Sequence, residues 1–370
     1  MKVPFVDLQA QYDSIKTEID AAIAGVIRQT AFIGGSYVRN FENEFAKAYG
    51  VKNAVGCGNG TDSLYILMKM LGIGAGDEVI TVANSWISSS ETISQTGAKA
   101  VFVDIHPDYY SMDESKLEEK ITKSTKAVIA VHLQGQMCDI ERIREICEKR
   151  KLYLIEDCAQ SHFSEFKGKR AGLFGHAGSF SFYPGKNLGA YGDAGCIITN
   201  DDALADKCRM FAQHGALKKH QHQIEGINSR LDGLQAAILS AKLPHLADWT
   251  DNRIRCAALY GKYLDGITEI ILPKQRPDTK HTWHLYVVRC KKRALLMEYL
   301  SALGIETSVH YPVILPNMDV YRYLGYKPGD FPVASSMQEE ILSLPIFPEL
   351  KETQIQFVAD SIKSFYRTNG

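Results

Sequence analysis

A single lysine stands out in the segment SFSFYPGKNLGAYGDAG, which covers residues 179–195. Lys186 is the only basic residue in this segment, and glycine or proline flanks it on both sides. Glycine and proline are typical of tight turns, so the pattern predicts a loop that follows a strand. An amine held in such a loop can bind a phosphate or form a Schiff base with a carbonyl group, whereas a solvated loop lysine is the structural alternative.

The segment YLIEDCAQSH, residues 153–162, contains a carboxylate pair, Glu156 and Asp157. Its apolar start predicts a buried strand, which places Asp157 at the carboxyl edge of a sheet. A carboxylate buried there is costly unless it meets a cation or several hydrogen-bond donors. The protonated ring nitrogen of a cofactor would meet that need, and an N-cap of a following helix would do so equally well.

Two further segments follow predicted strands. GCGNGTDSL, residues 56–64, is a glycine turn leading into a helix, with Thr61 and Asp62 in the capping zone. Thr61 stands where a dinucleotide-binding fingerprint requires glycine, so the segment indicates either a phosphate site at a helix N-terminus or an ordinary capped helix. VANSWISSSE, residues 82–91, presents Trp86, which could stack on a flat ring or lie in the core.

These strand ends together favour one cofactor. A phosphate site, a ring-stacking aromatic, a buried carboxylate for a pyridinium nitrogen and an isolated lysine are the groups that hold pyridoxal phosphate. An unperturbed lysine has a pKa of about 10.4 and is a poor nucleophile at neutral pH. We therefore interpret Lys186 as the residue that binds the cofactor covalently and then moves protons.

The elements that must position these residues alternate between strands and helices. Such alternation predicts an α/β fold with a mainly parallel seven-stranded sheet flanked by helices, in which ligands bind beyond the carboxyl ends of the strands. The strands are predicted at Asn53–Cys57, Glu78–Val82, Ala100–Val103, Ala127–Val131, Leu152–Glu156, Gly178–Tyr183 and Gly195–Thr199. The clearest helical patterns cover Asp62–Leu71, Ile87–Thr96 and Ile140–Arg150.

The pattern changes near residue 245. A long helix over Pro244–Leu264, a strand over Leu285–Cys290 and a helix over Arg293–Leu303 predict a smaller α+β domain. We therefore expect a large cofactor-binding domain over residues 1–245 and a small domain over residues 246–370.

Composition excludes several classes of function. The 370 residues carry 42 Lys plus Arg and 43 Asp plus Glu, a net charge of -1, which favours neither nucleic acid nor an anionic membrane as partner. No apolar run has the length of a membrane span or the pattern of a signal peptide. The eight cysteines are scattered without a C-x-x-C pair, so we expect free thiols, no metal site and a cytoplasmic protein.

A series of motifs over residues 4 to about 350 resembles the DegT-type nucleotide-sugar aminotransferases, which are fold type I pyridoxal phosphate enzymes. The motifs occur in the family's order and are PFVDL, FIGG, FENEFA, GNGTDSL, GDEVIT, GAKAVFVDI, IEDCAQS, SFSFYPGKNLGAYGDAG, GINSRLDGLQAAIL and HYP. Two positions depart from the family pattern. Gln134 replaces a common tyrosine and Ala194 replaces a common glycine.

The resemblance implies a role for each matching residue. Lys186 would be the catalytic, cofactor-bound lysine, Asp157 would face the pyridine nitrogen and Gln160 the ring hydroxyl. The phosphate would be bound by Gly60, Thr61 and Ser181, with Trp86 stacked on the ring and Asn228 reaching over from the second subunit of a homodimer. The candidate substrate contacts are Tyr183, Lys219, His220, Arg230, His310 and Tyr311.

The loop HGALKKHQHQIEGINSR, residues 214–230, supplies three of these substrate candidates. Its three histidines are irregularly spaced and no carboxylate completes a metal site, so metal is not expected. The loop is either a solvated basic segment or a binding site for the diphosphate of a substrate across a dimer interface.

The resemblance also implies the reaction. The sequence FYPGKNLGAYGD is similar to enzymes that act on 3-keto sugars, so the amino group of L-glutamate would pass to C3 of a dTDP- or UDP-linked keto sugar, leaving 2-oxoglutarate, in the biosynthesis of amino sugars for surface polysaccharides such as lipopolysaccharide. Two alternatives stay open, namely transfer to C4 and a non-catalytic protein that senses the cofactor or a nucleotide sugar.

Overall fold

The computed structural model describes residues 1–327 and 329–369. The strands of the central sheet are β1 (Asn53–Cys57), β2 (Glu78–Val82), β3 (Lys99–Val103), β4 (Thr125–Val131), β5 (Tyr153–Asp157), β8 (Ala177–Ser181) and β9 (Gly195–Thr199). The smaller sheets contain β6 (Glu165–Phe166), β7 (Lys169–Arg170), β10 (Ile270–Ile271), β11 (Thr279–Lys280), β12 (Tyr286–Cys290) and β13 (Ile341–Leu344).

The α-helices precede, connect and follow these strands. They are α1 (Leu8–Ser14), α2 (Lys16–Gln29), α3 (Gly35–Tyr49), α4 (Gly60–Met70), α5 (Ser88–Gln95), α6 (Ile140–Arg150), α7 (Asp202–Ala212), α8 (Gly233–Lys242), α9 (Leu246–Leu264), α10 (Arg293–Ala302), α11 (Pro332–Gln338) and α12 (Glu352–Asn369).

The central sheet has the strand order β1-β9-β8-β5-β4-β2-β3. Its strands run parallel except β9, which is antiparallel to both of its neighbours. The strands are short apolar runs buried on both faces, as a parallel sheet covered by helices requires. The predicted fold class is therefore confirmed, with all seven strands at the predicted places.

The boundaries of two strands differ from prediction near the candidate site. β5 continues through Asp157, and β8 ends at Ser181, two residues before the predicted end. Tyr183 consequently belongs to the loop that carries Lys186. The early end has a geometric reason, because the Ala190 N–H returns to the Phe182 carbonyl and closes the loop there.

Three helices that the strand pattern did not predict precede β1. The last of these, α3, buries Phe41, Phe45 and Tyr49 on one face, as its amphipathic pattern requires. These rings meet Phe180 and Phe182 edge to face, at centroid distances of 4.9–5.4 Å. The base of the Lys186 loop therefore rests on a rigid aromatic cluster.

A second core lies beneath the sheet β10-β12-β13. Side chains from α9, α10 and α12 cover it, and Val3 joins it because the chain start pairs with Ile305. Several residues between 314 and 341 pack instead on the core of the central sheet. Tyr311, which precedes this stretch, also packs against the core of the central sheet.

All eight cysteines are buried, and none of them forms a disulfide. Burial raises the pKa of several of these thiols, Cys147 and Cys208 to about 12, so they are protonated at neutral pH. Among residues 1–327 and 329–369, no helix combines the length and apolar character that a bilayer crossing requires.

Candidate active site

The N-terminus of α4 faces the end of β8. Asn59 is the N-cap and its side chain accepts the Asp62 N–H, whereas Asp62 accepts a hydrogen bond from Ser229, so the cap lies two residues before the predicted zone. The N–H groups of Gly60 and Thr61 meet no acceptor among the described residues. Such unpaired donors at the positive end of a helix form an anion site.

Close packing explains why glycine occupies position 60. A Cβ atom at Gly60 would lie 2.6 Å from the Cβ of Ser181, which is closer than real side chains approach. The Thr61 hydroxyl lies 2.7 Å from that of Ser88, the first residue of α5. Three hydroxyls therefore surround the two free N–H groups, which is the donor set that a phosphate needs.

Asp157 is buried at the carboxyl end of β5. Its Oδ2 accepts the Ser89 hydroxyl at 2.7 Å and its Oδ1 accepts the Ala159 N–H at 3.1 Å. No helix follows Asp157, so the N-cap alternative is wrong. With one donor on each oxygen, the carboxylate retains capacity for a further hydrogen bond from a cation.

Gln160 is held in one orientation by its neighbours. Its Oε1 accepts the N–H of Gln134 at 2.7 Å, and its Nε2 donates to the Tyr311 hydroxyl at 2.9 Å. Gln134 adopts a left-handed conformation, φ 63°, and its buried Nε2 has no partner in the described chain. Trp86 is 58% exposed and its ring lies 5.8 Å from that of Tyr311.

Lys186 is half-buried, and its amine makes no hydrogen bond to the described residues. Desolvation lowers its pKa to about 8, an effect that the negative charge of Asp157 partly opposes. About a tenth of the amine is therefore neutral at pH 7, far more than for a solvated lysine.

Three histidines lie close enough to Lys186 for its charge to lower their pKa values. Burial is the larger cause. Burial and the charge of Lys186 together lower the pKa of His162 to about 3 and that of His310 to about 4, and they hold the pKa of His284 well below its usual range. His310 is hydrogen bonded to Ser343, and His284 to Asn187 beside the lysine. All three rings are consequently neutral at pH 7.

Some predicted residues lie apart from this cluster. Asn228, Lys219 and His220 are exposed and Arg230 is half-exposed, and their side chains make no hydrogen bond or ion pair within residues 1–327 and 329–369. Tyr183 is 59% exposed, but its carbonyl accepts the Lys186 N–H. The structure thus brings together nine of the predicted residues: Gly60, Thr61, Trp86, Asp157, Gln160, Ser181, Lys186, His310 and Tyr311.

Sequence reasoning missed several residues in the cluster. Ser88 and Ser89 stand beside Trp86 in the segment WISSSE, and their hydroxyls were a readable signal at a helix start. His162 lies two residues after Gln160, with neither ring nitrogen hydrogen bonded to a described residue. His284 follows Trp283 shortly before β12, and no local pattern marks it as close to Lys186.

A buried network lies directly behind the cluster. His132, Glu156 and Cys158 have potential metal-binding atoms within 4.8 Å of one another. The carboxylate of Glu156, however, already accepts the N–H groups of Gly172, Phe174 and Gly175 as well as His132 Nε2. We interpret these three residues as a structural network, because hydrogen bonds already occupy the carboxylate oxygens of Glu156.

The residues present fit pyridoxal phosphate. The α4 N-terminus offers paired N–H groups and hydroxyls to a phosphate, Asp157 offers a carboxylate to a protonated ring nitrogen, and Gln160 offers an amide N–H to a ring oxygen. Lys186 supplies an amine with a lowered pKa, and Trp86 supplies an exposed aromatic face. No other common cofactor requires these groups in this combination.

Comparisons with known proteins agree with this chemistry. The model of the DegT/DnrJ/EryC1/StrS aminotransferase family matches residues 13–363. The chain is 45% identical to the "pleiotropic regulatory protein" of Geobacillus stearothermophilus, covering 99% of both chains. It is 40% identical to the dTDP-3-amino-3,4,6-trideoxy-alpha-D-glucose transaminase of Streptomyces venezuelae, covering 98% of this chain and 96% of that one.

A solved structure shows the same fold. The crystal structure of S. venezuelae DesV in complex with a ketimine intermediate superposes with a TM-score of 0.96 at 40% identity and covers 98% of both chains. The resemblance that the motifs indicated is thereby confirmed at the level of the family.

Proposed function

The chain belongs to the DegT/DnrJ/EryC1/StrS aminotransferase family, and on that premise we propose that it transfers an amino group from L-glutamate to C3 of a dTDP- or UDP-linked keto sugar. The observation that carries the proposal is Lys186, an amine with a pKa of about 8 beside the buried carboxylate of Asp157. The similarity to a transaminase of a dTDP-3-amino sugar supports the position on the sugar.

The residues at the sheet edge would hold pyridoxal phosphate by its two ends. Gly60, Thr61 and Ser181 would bind the phosphate, and Asp157 would keep the ring nitrogen protonated. When bound, the cofactor supplies an electron sink for the bond broken at the amino-bearing carbon. Trp86 and Gln160 would fix the plane and the rotation of the ring.

Lys186 would move the proton. Because burial brings its pKa near 8, the amine can accept a proton and return it at neutral pH without a large free-energy cost. The neutral rings of His284 and His310 do not compete for that proton, because their pKa values lie well below 7. His310, Tyr311 and Tyr183 border the lysine and would contact the sugar.

Substrate phosphates would be bound by residues of the loop 214–230 from the partner in a homodimer. Asn228 would reach the cofactor phosphate, and Lys219, His220 and Arg230 would contact the diphosphate. Phe32 and Ile33, beside the start of α8, are 48% and 56% exposed, and Leu217 and Ile224 in the loop are also exposed. Exposed apolar side chains of this kind favour an interface between subunits.

A second candidate function has one specific observation in its favour. The relative at 45% identity is named a pleiotropic regulatory protein, so a chain of this fold could act by binding the cofactor or a nucleotide sugar without turnover. The presence of Lys186, Asp157 and Trp86 favours the enzyme, since a sensor has no need of a proton-transferring lysine.

The proposal is tested by running the reaction in reverse. Purified protein is incubated with 2-oxoglutarate and a panel of dTDP- and UDP-linked sugars that carry the amino group at C3 or at C4. Mass spectrometry should detect glutamate and a keto sugar with a C3 amino donor. Turnover with C4 donors alone would contradict the position, and binding without turnover across the panel would favour the sensor.

A further inference from the structure

Lys242 is a completely buried lysine that the proposed chemistry does not use. It is the last residue of α8, and its ammonium donates to the Gly189 carbonyl at 2.8 Å and to Gln11 Oε1 at 3.1 Å. The ring of Tyr191 lies 4.2 Å from the same nitrogen. The three donors of an ammonium therefore have two acceptors and one aromatic face.

Two of those partners belong to the loop that carries Lys186. We name residues 182–192 the lysine loop. Its ends are joined by the hydrogen bond from the Ala190 N–H to the Phe182 carbonyl, and Gly189 passes so near Pro184 that a Cβ atom would lie 2.2 Å from the Pro184 oxygen. A displacement at Gly189 must therefore be transmitted to the turn that contains Lys186.

Gln235 contacts the same limb of the loop. Its Oε1 accepts the Tyr191 N–H at 2.9 Å, and its Nε2 donates to the Tyr191 carbonyl. Residues 235 and 242 are seven apart in α8, which is close to two helical turns, so both side chains lie on one face. A single rigid face of α8 thus holds the loop at two successive points.

We propose that Lys242, assisted by Gln235, is a positioning residue that fixes the lysine loop and thereby sets the place of the Lys186 amine. The inference rests on the proposed function, since it concerns the lysine of that site. An ammonium buried without solvent requires strong partners, and here two of its three partners, the Gly189 carbonyl and the Tyr191 ring, belong to the loop itself. Burial lowers the pKa of Lys242 to about 8, so at neutral pH the group is still mainly charged and its bond to Gly189 is charge-assisted.

The test uses the full-length chain with Lys242→Met, which keeps the length and apolar stem of the side chain but removes its donors. Lys262→Met is the matched control, because Lys262 also lies in the last turn of a helix but is exposed. Hydrogen–deuterium exchange is measured with and without bound pyridoxal phosphate. Lys242→Met should accelerate exchange of the Lys186 and Ala190 amides about tenfold, with no change elsewhere in the central sheet.

Function is measured on the same variants. Lys242→Met should slow the covalent attachment of pyridoxal phosphate to Lys186 about tenfold, as measured by visible absorbance. It should lower kcat by a similar factor, while KM changes less than about threefold. Lys262→Met should match the wild type in every assay. Normal exchange and normal attachment in a folded Lys242→Met protein would overturn the proposal.

Two further outcomes are decisive. If Lys242→Met does not fold, Gln235→Ala replaces it, and unchanged exchange of the loop in that variant would overturn the proposal. If the wild type loads the cofactor but transfers no amino group, the proposed function fails, whereas exchange and cofactor attachment still decide the role of Lys242.

Discussion

Two adjacent carboxylates at the end of β5 have opposite surroundings. Glu156 lies on one face of the sheet, where three backbone N–H groups and His132 occupy its oxygens. Asp157 points to the other face, where its partners among the described residues are the Ser89 hydroxyl and the Ala159 N–H. Both are buried, and the alternation of side chains along a strand alone separates them.

The difference in hydrogen bonding favours different roles for the two carboxylates. The donors of Glu156 come from the segment 172–175 and from the residue after β4, so its charge joins parts of the scaffold. Asp157 lies instead near an amine of lowered pKa and has hydrogen-bonding capacity left. We infer that loss of the first charge weakens the fold and loss of the second weakens the chemistry.

The largest effect on rate is expected from Asp157→Asn. The amide cannot stabilise a protonated ring nitrogen, so kcat should fall about 100-fold or more while the melting temperature changes little. Steady-state kinetics and thermal unfolding on the same preparation check this. A rate within a few-fold of the wild type would mean that Asp157 only holds the turn at Ala159.

Glu156→Gln should show the reverse pattern. Its amide nitrogen would face a backbone N–H or His132 and leave a buried donor without an acceptor, which costs about 3 kcal/mol of unfolding free energy. The protein that remains folded should keep kcat within about threefold. Urea unfolding measures the first quantity, and a stability equal to that of the wild type would remove the distinction between the two carboxylates.

The pH dependence of cofactor attachment sharpens the comparison further. Burial lowers the pKa of Lys186 to about 8, so the reactive neutral amine increases as the pH rises through 8. The attachment rate should grow about 25-fold from pH 6.5 to 8.5 and then level off, rather than rise until pH 10.5. Removal of the Asp157 charge in Asp157→Asn should move this midpoint lower, whereas Glu156→Gln should leave it in place.

The same contrast recurs at two neighbouring residues before α8. Ser229 is buried and bonded to Asp62 and Gly58, whereas Asn228 is exposed without a side-chain partner in the described chain. If Asn228 and Arg230 serve the partner's site, a Lys186→Ala chain and an Asn228→Asp, Arg230→Glu chain should complement each other. Equal mixing should restore about a quarter of wild-type activity, since half the dimers are mixed and half their sites are intact.

Subunit exchange must be shown independently for this experiment, by pull-down of a tagged chain. Absence of rescue after confirmed exchange would mean that Asn228 and Arg230 contribute to the active site of their own chain.

Much of the sheet and its edge could be read from the sequence because local patterns determine them. Runs such as NAVGC and EVITV are mainly apolar, and turn residues bound them, so β1 and β2 were predicted to the residue. Asp157 was predicted at the carboxyl edge for the same reason. The surplus of donors around Glu156 was not predictable, because its partners come from a loop 16–19 residues away in the chain.

Residues brought to the site from distant parts of the chain were harder to anticipate. His310 and Tyr311 were predicted only from a family motif. No sequence signal predicted His284 or Lys242, because their place near the lysine loop depends on how distant segments pack. Gln134 was noted as a departure from the family, but its role in orienting Gln160 follows from a left-handed backbone conformation that no propensity predicts for glutamine.

The most direct test of the account is reduction of the protein with borohydride in the presence of pyridoxal phosphate, followed by peptide mapping. A pyridoxyl group should be found on the peptide that contains Lys186 and should be absent from Lys186→Ala, even though that variant keeps the groups that hold the phosphate and the ring. Attachment to any other lysine, or normal turnover by Lys186→Ala, would contradict the assignment of the site.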